Sequence, residues 1–199
     1  SKHVSHMFRR APGFFDVVTY EGTGSATTIN HNLGAVPSVV LVKQRDASRN
    51  WYWQHYALGA NTWLQLNLDE VKASNGTLFN STLPTSSVFS VSDLGGVNGS
   101  GNDYIAYLFG DLAGISKAGT YTGTGGNVGV DCGFTAGARF VIIKRADSAG
   151  DWYVYDSHRG IVGGNDPYLL LNEYDAEVTN TDYIDPLNSG FTVTSSAPA

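Results

Sequence analysis

A single cysteine, Cys132, excludes an internal disulfide, so stability has to come from burial and strand pairing. Charge is scarce as well: Asp, Glu, Lys and Arg make up 15% of the chain, against about 25% in an ordinary soluble domain. The 12 basic residues are scattered and outnumbered by 18 acidic ones, giving a net charge of −6. Proteins that hold phosphate backbones release counterions with clustered cations, so nucleic acid is not an expected partner. No apolar run approaches the roughly 20 residues of a membrane-spanning helix, and the opening SKHVSHMFRRAPGFF has no apolar core followed by a small-residue cleavage site. Neither membrane insertion nor a secretory leader is read. No stretch keeps apolar residues at i, i+3, i+4 and i+7 over three turns, which leaves little room for α-helix.

What the chain does have is glycine (24 residues), abundant Thr, Ser and Asn, and an internal repeat. The run PSVVLVKQRDASRNWYW at 37–53 returns as RFVIIKRADSAGDWYV at 139–154. A constant offset of 101 sets Val40 on Val141, Lys43 on Lys144, Asp46 on Asp147, Trp51 on Trp152 and Tyr52 on Tyr153, with no gap. Each copy reads as a buried strand, a polar turn and an aromatic strand coming back. The expected fold is all-β: two tandem antiparallel β-sandwich modules of about 100 residues each, a size ordinary for a domain. The boundaries are a connector at 1–12, a first module at 13–110 and a second at 111–199.

In the connector, His3 and His6 invite a metal reading, but no Cys or carboxylate nearby completes a ligand set, and no cofactor is expected. Strand 14–20 has its counterpart at 115–121, and each ends in a Gly-Thr-Gly turn, 22–24 and 123–125. A glycine turn that cradles phosphate needs a helix behind it. Another strand follows here, so a hairpin turn with positive φ is expected instead. His31 and Cys132 occupy equivalent positions, so neither can carry a chemistry common to both copies. The runs 38–43 and 140–144 are nearly all apolar, as for strands covered on both faces. The paired turn residues Asp46 and Asp147 are expected to cap their own turns.

Along the aromatic returns, successive side chains point to opposite faces. Half of the rings therefore lie outside their own core. They either cover a neighbouring repeat or subunit, which is the preferred reading, or form a binding platform, since Trp and Tyr combine apolar area with a polar tip. LQLN at 64–67 matches LLLN at 169–172 at an offset of 105, so the second copy carries four extra residues, in the loop GIVGGNDP at 160–167. Unequal loops on a common scaffold are where binding differences are usually placed. The stretches 69–85 and 173–189 read as polar and turn-rich. The candidate ligand contacts are the rings Trp51, Trp53, Trp152 and Tyr155 of the aromatic returns, together with His158, Asn165 and Asp166 in and beside the longer loop. Strand 88–91 matches 191–193, but YIAYLF at 104–109 has no counterpart, which the offset would place near position 206. A missing strand leaves an open edge, so either the chain is a fragment of a longer protein, which is the favoured reading, or the last strand of the second copy comes from elsewhere.

The motifs GFFDVVTYEGTGSATTINHNLGAVPSVVLVKQRD, NGSGNDYIAYLF, GTYTGTGG, DCGFTAGARFVIIKRADSAGDWYVYDSHRG and DPYLLLN are similar to virion structural proteins of tailed phages, especially marine cyanophages, where the module is tail-fibre-like. The resemblance covers nearly the whole chain. It implies that the second copy continues past SSAPA into a glycine loop and a YIF-type strand. The turn after a Pro-led strand also resembles small sugar-binding β-sandwiches of the H-type lectin kind, though no binding residue of that family falls on a position here. The resemblance implies a non-enzymatic virion protein, in a tail fibre or appendage, that touches a host surface glycan or receptor. Its partners would be other virion proteins and further copies of itself in a homo-oligomer, for which a trimer is one candidate. The alternative is a purely architectural role as capsid decoration, baseplate part or shaft spacer. A polysaccharide depolymerase is the least favoured reading: it would need two carboxylates about 5–9.5 Å apart, for which Asp46, Asp147, Asp151 and Asp156 are the available acids.

Overall fold

The computed structural model describes residues 3–198 and is all-β. The first half holds β1 (Phe15–Glu21), β2 (Thr27–Asn30), β3 (Pro37–Gln44), β4 (Trp51–His55), β5 (Leu64–Gln65), β6 (Val88–Val91) and β7 (Asp103–Gly110). The second holds β8 (Val128–Asp131), β9 (Phe140–Lys144), β10 (Trp152–Asp156), β11 (Leu169–Leu170), β12 (Ile184–Leu187) and β13 (Gly190–Val193). Among the described residues the named strands form four antiparallel sheets, ordered β1-β7-β3-β4-β5, β2-β6, β11-β10-β9 and β12-β13-β8. Every sheet is built from strands of one half only.

β3 and β7 show why the first half holds together. Alternate residues of a strand face opposite sides, and both sides of β3 are covered. Val40 and Val42 join Phe89, Val91, Tyr104, Ala106 and Leu108 in the core under β2 and β6. Val39 and Leu41 face the other way, into a cluster with Trp53, Leu64 and Trp152. β7 divides in the same manner, with Tyr107 and Phe109 packed against that second cluster. Pro37 stands at the start of β3 beside a register irregularity, where a missing N–H is tolerated. The second half has its own core of Val141, Tyr155, Tyr168, Ile184 and Phe191.

Three expectations are corrected. Residues 115–121 form no strand. Of the named strands the first copy's β1 pairs with β7 alone, and among the described residues no strand of the β7 kind lies beside its counterpart. The turns at Gly24 (φ 69°) and Gly125 (φ 76°) do need positive φ, but they do not close hairpins. β1 pairs with β7 and β2 with β6, so the Gly24 turn carries the chain from one sheet to the other. Finally, the polar stretch 173–189 contains β12, which closes a hairpin with β13. Its Pro186 is accommodated because β12 is an outer strand.

Candidate functional site: the inter-module junction and the long loop of the second module

The outward faces of the two equivalent hairpins meet each other. Trp51 and Trp53 point away from the first core while Tyr52 packs against it, and Trp152 likewise leaves Tyr153 and Tyr155 to the second core. The Trp53 and Trp152 rings lie 5.1 Å apart at 53°. The Trp152 indole N–H donates to the carbonyls of Gln65 (2.9 Å) and Leu68 (3.1 Å) in the other module. The Lys144 Nζ donates to the carbonyl of Asp69 (3.2 Å), Gly150 N to the same carbonyl (2.7 Å), and Lys72 N to Ala146 O (3.2 Å). With Trp53 9% and Trp152 2% exposed, these rings join the modules and form no solvent-facing platform. Trp51 is half-buried and stacks on Tyr107 at 6.2 Å.

The two LN motifs have a defined job at this junction. Asn67 Oδ1 accepts from Trp51 N (2.9 Å) and Asn172 Oδ1 accepts from Trp152 N (2.8 Å). Their amides reach back across the turn to Asn50 (3.0 Å) and Asp151 (2.8 Å). Each Asn thus satisfies the first N–H of the aromatic strand, a backbone donor that is costly to leave unpaired.

Beside the junction lies a cavity of ≈1810 Å³ bounded by β9, by residues 114–126 and by the outer face of β1 and β7. The N-terminal arm runs past its mouth. Phe8 packs 5.4 Å from Phe109 and 5.5 Å from Phe140, and the His6 ring 4.8 Å from Phe140.

The long loop sits at the far end of β10. Its base is Asp156, whose Oδ1 accepts from the N–H groups of His158 (3.0 Å) and Arg159 (2.9 Å), while Oδ2 meets Arg159 Nε (2.7 Å) and His6 Nε2 (3.3 Å). Despite its burial, these donors hold the Asp156 carboxyl down at about 2. The Arg159 side chain, 8% exposed, also donates to Val154 O (3.1 Å) and Glu177 Oε1 (3.3 Å). Within the loop Asp166 is fully buried (0% exposed). Its Oδ1 accepts from Val162 N (2.8 Å), and among the described residues no hydrogen bond of normal geometry reaches its Oδ2. Burial, with Asp182 and Asp185 nearby, pushes this carboxyl up to about 6.

The seven candidate contacts therefore do not converge on one site. Trp51, Trp53 and Trp152 belong to the junction, Tyr155 to the second core and Asp166 to the loop interior, leaving His158 and Asn165 exposed on the loop. The acids weighed for hydrolysis are engaged in local structure: Asp46 accepts from Gln44 Nε2 (2.8 Å) and Asp103 N (3.0 Å), and Asp147 from Arg145 Nε (2.8 Å). His31 is buried, with Leu33 N donating to its Nδ1 (3.3 Å) and its Nε2 reaching Thr85 O (3.1 Å). The Asp156–Arg159 anchor escaped sequence reasoning because it has no counterpart in the first copy, where His55 stands at the position of Asp156.

Fold and junction define a class: all-β proteins in which two copies of one module are locked face to face through their aromatic hairpins. The chain belongs to the family described as a domain of unknown function (DUF7483), which matches residues 7–199. No curated protein and no solved structure matches it.

Proposed function

We propose that this protein is a non-enzymatic structural module of a tailed-phage particle, part of a tail fibre or similar appendage, and that it contacts the host surface through a glycan or protein receptor. The observation that carries the reading is the locked junction. Two copies joined by the buried Trp53–Trp152 pair hold the exposed His158 and Asn165 of the long loop in a fixed relation to the first module. The sequence resemblance to virion proteins supports the particle setting. A single shallow sugar contact of about millimolar affinity is worth roughly −4 kcal/mol. Linking many copies on an oligomeric appendage raises avidity by about 10²–10⁴. Protein multimerised on beads is expected to retain cyanobacterial cells, or glycans extracted from their envelope, and to lose them when His158 and Asn165 are both changed to Ala. Absence of binding by the multimerised protein to either target refutes attachment.

One observation favours a purely architectural role. The unpaired side of β9 is a strand edge of the kind that assembles with other chains. Gold-labelled antibody on virions separates the two readings. Label at fibre tips supports attachment, and label on a capsid lattice or along a shaft supports architecture.

A further inference from the structure

The two modules finish one corner differently. In the first, Trp63 exchanges backbone bonds with Ala73 and packs edge-on against Tyr52 at 5.7 Å and 77°. In the second, Tyr168 does the same with Val178 and packs against Tyr153 at 5.1 Å and 64°. A further backbone bond fixes the third member of the set: Ser92 N donates to Leu78 O (2.9 Å) as Thr194 N donates to Tyr183 O (3.0 Å). Leu78 therefore stands where the second copy has Tyr183. The Tyr183 ring stacks on Tyr168 (5.6 Å, 21°) and stands edge-on to Tyr153 (6.2 Å, 80°), so it fills the corner of the second module. In the first, the smaller Leu78 is buried and leaves a cleft of ≈380 Å³ lined by Trp63 and Tyr52. That is within the roughly 300–1,000 Å³ of small-molecule sites. Charge changes along with shape. Arg49 lines the cleft, is exposed, and has no hydrogen bond or ion pair among the described residues; its counterpart is Gly150. Thr77 lines it where the second copy has Asp182, and no acid lines it at all. The Tyr52 hydroxyl also makes no hydrogen bond among the described residues. A Cβ on Gly96 would stand 2.6 Å from Tyr52 Cε2 and 3.0 Å from Tyr52 Oη, so only glycine lets the backbone close on the phenol, and beside it Gly95 faces open space.

We propose that this cleft is a sugar subsite whose occupant is a uronic acid residue of a surface polysaccharide. Its ring takes the place over Trp63 that Tyr183 takes over Tyr168, and its carboxylate pairs with Arg49. The lining selects the class. One unpaired guanidinium matches one carboxylate and grips it through two parallel N–H bonds. The aromatic pair offers apolar area to the C–H face of the ring. The Tyr52 hydroxyl, the bare backbone at Gly95 and Thr77 Oγ1, which donates to Asn75 Oδ1 (3.0 Å) and still accepts, meet the sugar hydroxyls. An aromatic acid calls for walls that are mostly apolar, whereas Arg49, Thr77, Gly95 and Gly96 make up half of this lining. A phosphate backbone calls for clustered cations, and Arg49 is the one cation in the lining. A uronic acid subsite deepens the glycan form of the attachment reading and rests on it for the source of the sugar. Monomeric protein and a free glycoside test the cleft without cells, so the two fail separately.

The test is a titration of the full chain with methyl β-D-glucuronide, followed in ¹H–¹⁵N correlation spectra, with the Trp63 indole peak assigned through Trp63→Phe. Saturable shifts of that peak and of the Gly95 and Gly96 amides are expected, at a dissociation constant of about 1 mM. Arg49→Gly installs the residue of the second copy at an exposed position. It should weaken binding at least about fivefold and leave the melting temperature unchanged. Leu78→Tyr rebuilds the plug of the second module and should abolish binding; because Leu78 is buried, Arg49→Gly carries the test if that variant does not fold. Absence of saturable shifts up to about 50 mM glucuronide overturns the proposal, as does binding undiminished in Arg49→Gly. Equal affinity for methyl β-D-glucoside removes the role of the cation and overturns it too. Equal shifts with acetate, or tighter binding of 4-hydroxybenzoate, overturn it in favour of a bare anion site or an aromatic acid. Cell retention that fails while glucuronide still binds refutes attachment and leaves the subsite standing.

Discussion

Replacing Trp152 by Ala tests whether the junction makes one folding unit of two modules. Trp152 is 2% exposed, and its ring packs among Val39, Leu41, Trp53 and Leu64, which all belong to the other module. Truncating a buried Trp to Ala costs about 3–5 kcal/mol. Here that loss falls on the contact between modules and leaves the second core of Val141, Tyr155, Tyr168, Ile184 and Phe191 in place. Wild-type protein is expected to unfold in urea in one cooperative transition, followed by far-UV circular dichroism and tryptophan fluorescence. Trp152→Ala is expected to give two transitions, the less stable second module melting first, each with a smaller denaturant slope because each exposes less surface. Trp152→Phe keeps the ring but loses the N–H bonds to Gln65 and Leu68. It should lose about 1 kcal/mol and keep the single transition. A Trp53/Trp152 double-mutant cycle should return a coupling above about 0.5 kcal/mol. A single transition in Trp152→Ala, shifted by less than about 1 kcal/mol, would refute the reasoning.

Asn172→Ala, which leaves Trp152 N without its acceptor, should destabilise the second module by about 1–3 kcal/mol, and Asn67→Ala should do the same to the first, both read from urea midpoints. Gly190→Ala places a Cβ 2.0 Å from Val130 O and 3.1 Å from Cys132 N, so β13 must part from β8. A loss of about 1–3 kcal/mol is expected, seen in the second module alone. The two perturbed acids act with opposite sign. Asp166, raised from 3.8 to about 6, contributes stability that is complete below 3.8 and is lost as pH rises through about 6. Asp156, lowered to about 2, contributes stability that is complete above 3.8 and is lost as pH falls through about 2. Thermal melts across pH 2–8 should therefore show Asp166→Asn flattening the decline around pH 6, and Asp156→Asn less stable at neutral pH with its acid decline diminished.

The hairpins β3–β4 and β9–β10 are legible in sequence because all their determinants are local: an apolar run, a turn with Asp46 or Asp147, an aromatic return. Pairing between distant segments is not. Nothing in 14–20 says that β1 needs β7, some ninety residues on, and so nothing in 115–121 reveals that the same kind of segment has no partner strand among the described residues. β12 is hidden for a similar reason. Its Ile-Asp-Pro-Leu has no strand signature of its own and is held by the Phe191 strand beside it. The outward half of the aromatic residues follows from strand geometry alone, and covering a neighbouring repeat is one of the two roles that geometry allows them. That Trp53 meets Trp152 is a property of the docked pair that neither hairpin encodes by itself. The burial of Asp166 has no local signal, since Asn-Asp-Pro reads as an exposed turn.

The internal repeat also separates scaffold from opportunity within one chain. At equivalent positions His55 and Asp156 share no chemistry. Yet His55 Nδ1 accepts from Ala57 N (3.2 Å) and Asp156 Oδ1 from His158 N (3.0 Å), the same bond two residues on. What both copies keep is an acceptor that closes the backbone at the end of the aromatic strand; the residue identity is free. The turn acids Asp46 and Asp147 and the pair Asn67 and Asn172 keep the residue as well, each as an acceptor in local structure. Each of these positions is explained by the fold, so none needs a ligand to account for it. The loop 160–167 is different. It is four residues longer than its counterpart, and its base at Asp156 is tied to Arg159 and to His6 of the N-terminal arm, while Arg159 in turn pairs with Glu177 of the following segment. A loop added to one copy and anchored through contacts that the other copy lacks is where the two modules can differ in what they bind. Substitutions at His158 and Asn165 should therefore alter binding without altering stability, whereas those at Trp53 and Trp152 should lower stability first.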